Sequence, residues 1–359
     1  MKILVNALSG IGDAIMFSPA LALLKKHIPD SQIDMLVMFK QVEEIYTNNP
    51  NVNNIYFIDF VNQSKLKSLN QVLKLRKNKY DASINVYPAN RREYNLIQYL
   101  IGARQKIATR YNHYSKSNWD FLNNKLNQEV KNRHNVLENY DLIKFLAPNA
   151  QENELGYYYI KIEIEDEVFA QKYFFDNLLH DKFVVGFHAG SATFKRHINK
   201  RWAAKKYIAL AKELHKKHYA QIILFGTETD VNEKIYKEIK SFAHLPKTST
   251  MMQSLALLER CKLLICNDAA LMHLGAGLKV PTVAIFAYTN YKELYPWKNN
   301  HIIVRKELDC SPCFFNSPRP VQCIYTGEEE FKCIKTIAVS EVLEACEKLI
   351  EEIPRNVKT

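Results

Sequence analysis

The sequence predicts an α/β protein built from two doubly wound parallel sheets, and three observations predict it. Strand-like apolar runs alternate with amphipathic helical runs through both halves of the chain. The alternation breaks over residues 151–166 and then restarts. At 359 residues the chain exceeds what one hydrophobic core usually supports. Two domains follow, residues 1–165 and 166–359, expected to face a cleft, with the last helix a candidate to pack back on the first.

In the first half, strands are expected at Lys2–Ala7, Ile33–Met38, Asn54–Asp59 and Ala82–Tyr87, with helices between them, for example Ala14–His27 and Leu66–Lys77. Residues 112–133 are polar, rich in Asn and Lys, and read as a loop or lid, followed by a helix from His134 to Leu146. The connector carries an edge-strand pattern from Gly156 to Ile162, and a helix over Val168–Leu179 leads into the second half. There the expected order is strand Phe183–His188, helix Ala203–His218, strand Gln221–Phe225 and helix Asp230–Phe242. Helix Met252–Arg260, strand Lys262–Cys266, helix Ala270–Leu278, strand Thr282–Phe286 and a final helix from Ser340 to about Glu352 complete it.

Hydrophobic residues make up 47% and charged residues 24%, the balance of an ordinary globular protein. No apolar run has transmembrane length and the N-terminus enters a strand directly, so a cytoplasmic protein with mostly reduced cysteines is expected. The formal charge of +11 favours anionic partners. Nucleic acid is excluded as the expected partner, because no helix-turn-helix, zinc-finger or RNP-type motif is present.

The first loop is the most telling. Ser9-Gly10-Ile11-Gly12 follows a strand and precedes a helix, as in a dinucleotide-binding unit, but Asp13 comes at once after Gly12. A carboxylate then occupies the place where a pyrophosphate would sit. A helix N-terminus keeps such a carboxylate ionised, able to accept a proton. The same residue can also serve only as a helix cap.

Two loops in the second half carry the other signals, since ligands of doubly wound sheets bind at the carboxyl ends of strands. Ala189-Gly190-Ser191-Ala192-Thr193 leaves backbone N–H groups open to an anion, and Lys200-Arg201-Trp202 follows shortly. Asn267-Asp268 follows a later strand, with His273 in the next helix. Asp268 can bond sugar hydroxyls or cap the helix, and His273 can be a packed side chain or part of the site.

Together these motifs give the chain a resemblance, over nearly its whole length, to glycosyltransferase family 9, the heptosyltransferases of the lipopolysaccharide inner core. The resemblance rests on Gly12-Asp13 with Pro19, on His188-Ala-Gly-Ser191 with Lys200-x-Trp202, and on Asn267-Asp268 with His273 and Pro281. Pro88-x-x-Arg91 and His134-x-Val136 fit as well. It implies a GT-B architecture of two Rossmann-like domains, the first binding the acceptor and the second a nucleotide-sugar. It implies that Asp13 is the general base, that Lys200 steadies the donor phosphates with Gly190 and Ser191 beside them, that Asp268 and His273 lie at the donor sugar and diphosphate, and that Met251 lies under the nucleoside base. The implied reaction is an inverting, metal-independent transfer of a sugar, heptose from ADP-heptose foremost, onto an anionic glycolipid of the lipopolysaccharide core. No cofactor is implied, and any membrane contact is expected to be peripheral, at the inner face of the cytoplasmic membrane.

The chain departs from the family pattern at Ala7, where a basic residue is usual, at Asp268-Ala269-Ala270, and at Ala287-Tyr288-Thr289. These changes alter the wall around the donor and bear on which sugar is moved. A nucleotide-sugar epimerase on the same scaffold, a transferase using another sugar or a protein acceptor, and a non-catalytic binding protein are the competing readings. Arg91-Arg92 and the basic 112–133 segment favour a charged acceptor over epimerisation, and Asp13 with Lys200 speaks against a mere binder. Cys310-x2-Cys313, Cys323 and Cys333 resemble a cysteine cluster of many family members. They suit either reduced, packed thiols, the expected state, or a structural metal, which would not take part in the chemistry.

Overall fold

The computed structural model describes residues 1–113 and 117–353, and these form two units: residues 1–161 with Asn316–Pro318, and residues 162–315 with 319 onward. The first unit holds β1 (Lys2–Ala7), β2 (Gln32–Val37), β3 (Asn54–Phe57), β4 (Ala82–Asn85), β5 (Gln105–Arg110) and β6 (Lys125–Gln128). The second holds β7 (Val184–His188), β8 (Gln221–Leu224), β9 (Ala243–His244), β10 (Leu263–Asn267), β11 (Thr282–Ile285) and β12 (His301–Val304). Every strand pairing is parallel.

The two sheets share one topology. The first runs β3-β2-β1-β4-β5-β6 and the second β12-β11-β10-β7-β8-β9. Counted from its own first strand, each therefore runs 3-2-1-4-5-6. The order reverses between β1 and β4 in one unit and between β7 and β10 in the other. A crevice opens at such a switch point because the crossovers on its two sides leave toward opposite faces. Parallel strands are covered on both faces, and Ile3, Leu4, Val5, Val185 and Phe187 are completely buried.

Three expectations are corrected. The single helix expected over Ala14–His27 is two, Ile11–Ile15 and Ser18–His27. Pro19 lacks an N–H and is tolerated only in a first turn, so a new helix begins just before it. The 112–133 loop contains a 3-10 turn at Asp120–Leu122 and the edge strand β6, while Tyr114–Lys116 lie outside the described residues. β6 was hidden by its polar Lys-Leu-Asn-Gln sequence, which suits an exposed sheet edge. The Gly156–Ile162 pattern forms no strand: Tyr159 N–H donates to Ser18 Oγ at 3.0 Å and its hydroxyl to Asn48 O at 3.3 Å, in place of a ladder. The last helix, Val339–Glu352, packs within the second unit on β10, β11, β12 and helix Ala204–His218, with Ala345, Cys346 and Leu349 in its core. The final six residues of the expected second domain, 354–359, lie outside the described residues.

Candidate active site

In the first unit, the loop after β1 turns into the short helix Ile11–Ile15, with Gly10 as its N-cap. Asp13 reaches back one turn and its Oδ2 accepts the Gly10 N–H at 3.2 Å. The carboxylate thus sits over the helix start, where aligned N–H groups favour negative charge. Ser9 Oγ donates to Pro88 O, fastening the loop after β4 to the loop after β1 across the switch point. Arg91 occupies the N-cap position of helix Arg92–Ile101, without a side-chain bond. The Tyr94 phenol of that helix is pushed up to about 12 by burial, with Arg91 opposing and the charge of Asp13 adding, so all three share one neighbourhood. His134 Nδ1 accepts the Val136 N–H at 3.1 Å at the start of helix Asn135–Ile143.

In the second unit, the decisive contact is an ion pair. Lys200 Nζ lies 2.8 Å from Asp268 Oδ2, with the two residues only 9% and 3% exposed. Thr289 Oγ1 donates to the same oxygen at 2.7 Å. Burial pulls the Asp268 carboxyl up, but the Lys200 charge, the two hydrogen bonds and nearby His273 hold it below the usual carboxylate range. Asp268 does not cap the helix that follows: its N-cap is Ala269, without a side-chain bond. His273 is buried in that helix, and desolvation lowers its imidazole to about 4, so it is neutral at pH 7.

The β7 loop is held by its neighbours. Asn267 at the end of β10 donates to Gly190 O at 3.0 Å and accepts the Trp202 N–H at 2.9 Å. Ser191 Oγ donates to His197 O at 2.9 Å and accepts from Arg201 Nε at 3.1 Å, so its hydroxyl secures the loop. Lys195 and Arg196, in the turn Phe194–Lys200, take left-handed φ values of 54° and 61°, which cost energy for residues with a Cβ. Met251 is the first residue of helix Met251–Glu259, whose cap is Thr250. The structure therefore brings Gly190, Ser191, Lys200, Asp268 and His273 to the β7/β10 switch point, while Met251 belongs to a neighbouring helix. A shallow depression of about 310 Å³ between Phe57, Asp59, Asn62, Gln63, Lys67 and Gln71 holds none of these residues.

The family model for glycosyltransferase family 9 (heptosyltransferase) matches residues 69–322. The chain belongs to this family. Lipooligosaccharide heptosyltransferase 2 of Campylobacter jejuni subsp. jejuni serotype O:2 is 27% identical over 365 residues, spanning 98% of this chain and 99% of the relative. The glycosyl transferase family 9 structure from Veillonella parvula DSM 2008 superposes with a TM-score of 0.75 at 23% identity, over 98% of this chain and 97% of that one. The E. coli ADP-heptose LPS heptosyltransferase II structure gives 0.73 at 20% identity, over 98% and 99%. The two structural likenesses establish the two-domain α/β fold.

This family 9 glycosyltransferase carries site residues that the sequence reading missed. Glu228, after β8, lies with an oxygen 3.8 Å from His188 Nε2 and another 3.7 Å from Arg201. Burial raises its carboxyl, but His188 and Arg201 draw it below the ordinary value. A Cβ on Gly190 would come within 2.2 Å of that carboxylate, and one on Gly226 (φ +103°) within 2.4 Å. The left-handed φ at Gly226 favours glycine there, and at Gly190 any side chain would require Glu228 or the loop to move. The signal was Gly226-Thr227-Glu228 directly after a strand, a third polar turn at the same sheet end. Thr289, a departure from the family pattern, is a partner of Asp268. Among the four clustered cysteines, burial, then Cys313, Cys323 and Cys310, push the Cys333 thiol up to about 12, and Cys323 Sγ accepts the Phe331 N–H at 3.3 Å. All are free thiols, and among the described residues no three His, Cys, Asp or Glu side chains are arranged to hold a metal ion.

Proposed function

We propose that this glycosyltransferase moves heptose from ADP-heptose onto an anionic lipopolysaccharide-core acceptor with inversion and without a metal ion. The reading is supported by family membership and by relatives named for lipooligosaccharide and ADP-heptose transfer. The observation that carries it is the buried Lys200–Asp268 pair beside the Gly190 loop. An ammonium has three donors, and Asp268 with its Thr289 bond engages only one of them. The remainder, with open N–H groups of the loop and the start of helix Ala270–Gly277, suit a diphosphate and the charge that builds on it as the glycosidic bond breaks. Glu228 supplies a buried acceptor for sugar hydroxyls.

The acceptor oxygen attacks the anomeric carbon from the face opposite the diphosphate. The new C–O bond forms as the bond to the diphosphate breaks, ADP departs, and the acceptor's proton passes to Asp13. The carboxylate is a weak base, but the hydroxyl becomes acidic only as it bonds to carbon, so a late transfer suffices. Arg91 and Arg92 suit the acceptor's negative charge, and the acceptor is met from the cytoplasmic side. Among the described residues no helix is long and apolar enough to cross a membrane.

The test is mass spectrometry of products after offering ADP-heptose and other nucleotide sugars with core acceptors of defined length. One added heptose from ADP-heptose alone supports the reading. Conversion of donor without acceptor would instead mark an epimerase.

A further inference from the structure

Helix Lys65–Arg76 turns three of its four leucines away from the core. The sheet-facing positions are Ser68, Val72 and Leu75, while Leu66, Leu69 and Leu73 are 80%, 40% and 41% exposed. At 100° per residue these three fall within one narrow stripe, centred roughly 125° around the helix from the buried one. The neighbouring helix Arg92–Ile101 packs alongside it, and Arg76 Nη1 donates to Leu100 O at 3.3 Å. That helix exposes Leu96 and Tyr99 as well.

The charge around the stripe is mostly positive, with Asp59, in reach of Lys67, the acidic exception beside it. From Phe60 to Tyr80 the chain contains Lys65, Lys67, Lys74, Arg76, Lys77 and Lys79 and no acidic residue. Lys65 and Arg76 flank the leucines on one side, and Lys67, Lys74 and Lys77 on the other. Glu93, the acidic residue at the start of the second helix, pairs with Arg92 at 3.2 Å.

We propose that this two-helix face of the first unit docks reversibly on an anionic lipid bilayer surface, leucines in the interface and lysines at the headgroups. Exposed leucines and an aromatic ringed by cations are what an in-plane interfacial helix presents. Each Lys or Arg near an anionic surface contributes about 1 kcal/mol, roughly fivefold in partitioning. Neither the short stripe nor the basic patch suffices alone, but two signals together give attachment. A second copy of the chain is the poorer occupant, because a two-fold contact would set this unbalanced cationic face against itself. The proposal deepens the functional reading only in purpose, by bringing the enzyme to the surface where a glycolipid acceptor sits.

The test is sedimentation of the full chain with phosphatidylcholine vesicles and with 3:1 phosphatidylcholine:phosphatidylglycerol vesicles, at low and high salt. Binding is expected only to the anionic vesicles and should weaken with salt. The Lys74→Glu, Lys77→Glu pair should lower partitioning at least twentyfold, and Leu69→Ser, Leu73→Ser at least fivefold, with unchanged circular-dichroism melts. Lys212→Glu, Lys216→Glu, the same charge change on a helix of the second unit, should keep binding within about threefold. Equal binding to neutral vesicles, equal loss in the control pair, or a dimer that the leucine changes dissociate would each overturn the proposal. Transfer to an acyl-free acceptor should be unaffected by all these changes. Failure of that reaction in the wild type would count against the functional reading while leaving vesicle binding to be judged by itself.

Discussion

Lys200 and Asp268, 68 positions apart in the chain, meet at 2.8 Å at the β7/β10 switch point, each nearly excluded from water. A pair so placed is costly to break, because removing one partner strands the other's charge in a poor solvent. Lys200→Ala should therefore lower unfolding stability by about 3 kcal/mol, read from denaturant midpoints, whereas Lys205→Ala and Lys216→Ala should cost little. Lys200→Met with Asp268→Leu should recover much of that stability without recovering donor binding. Equal effects of all three single lysine changes would reduce the role of Lys200 to net charge.

Gly190→Ala should weaken donor binding at least tenfold. The new methyl falls 2.2 Å from the Glu228 carboxylate, so the loop or Glu228 must move. Gly156→Ala, where a Cβ meets nothing within 4 Å, is the control. Calorimetry with ADP distinguishes them, and equal affinities for both variants would count against Glu228 and the loop as donor contacts.

Protonation of two buried histidines should cost stability between pH 7 and 5, against an opposing gain from Glu138, whose carboxyl burial pushes up to about 7. His273 and His197 are both lowered to about 4, chiefly by burial, so at these two sites the unfolded chain binds more protons than the folded one between about pH 6.5 and 4. Stability contributed by keeping them neutral is complete above about 6.5 and is lost as pH falls through that window. Each should cost about 2 kcal/mol at pH 5 relative to pH 7. Urea unfolding of wild type and His197→Gln at the two pH values checks this: the variant should lose less stability on acidification.

Transfer should survive excess EDTA, since the diphosphate is assigned to Lys200, the Gly190 loop and the helix after Asp268. Activity lost to the chelator and restored by magnesium would contradict the assignment. A loss of folding on chelation, seen by circular dichroism, would instead locate a structural metal at Cys310, Cys313, Cys323 and Cys333.

Much of this was legible in the residues. Buried parallel strands announce themselves as apolar runs, so the sequence predicts β1 at Lys2–Ala7, where it is found. Polar residues just past such runs located Asp13, Gly190 and Asp268 at sheet ends. The short edge strands β6, β9 and β12 were not legible, because they are brief and carry no long apolar pattern. Nor was the partner of Lys200: spacing puts both residues in loops, but only the strand order brings β7 beside β10. In the sequence Asp268 reads as a cap or a sugar ligand, because nothing there signals a lysine across the sheet. The exposed leucines of helix Lys65–Arg76 fit a helical period as well as buried ones would, so periodicity alone could not show which face is covered.

Asp13 carries the central claim. Single-turnover transfer by wild type and Asp13→Ala, with ADP affinity measured alongside, tests it most directly. The change removes a bond to the Gly10 N–H, worth about 1 kcal/mol as a helix cap, so the protein should fold and bind ADP as before. Transfer should fall at least ~100-fold, the usual worth of a general base. A loss under about tenfold, with the fold and ADP affinity intact, would contradict Asp13 as the base.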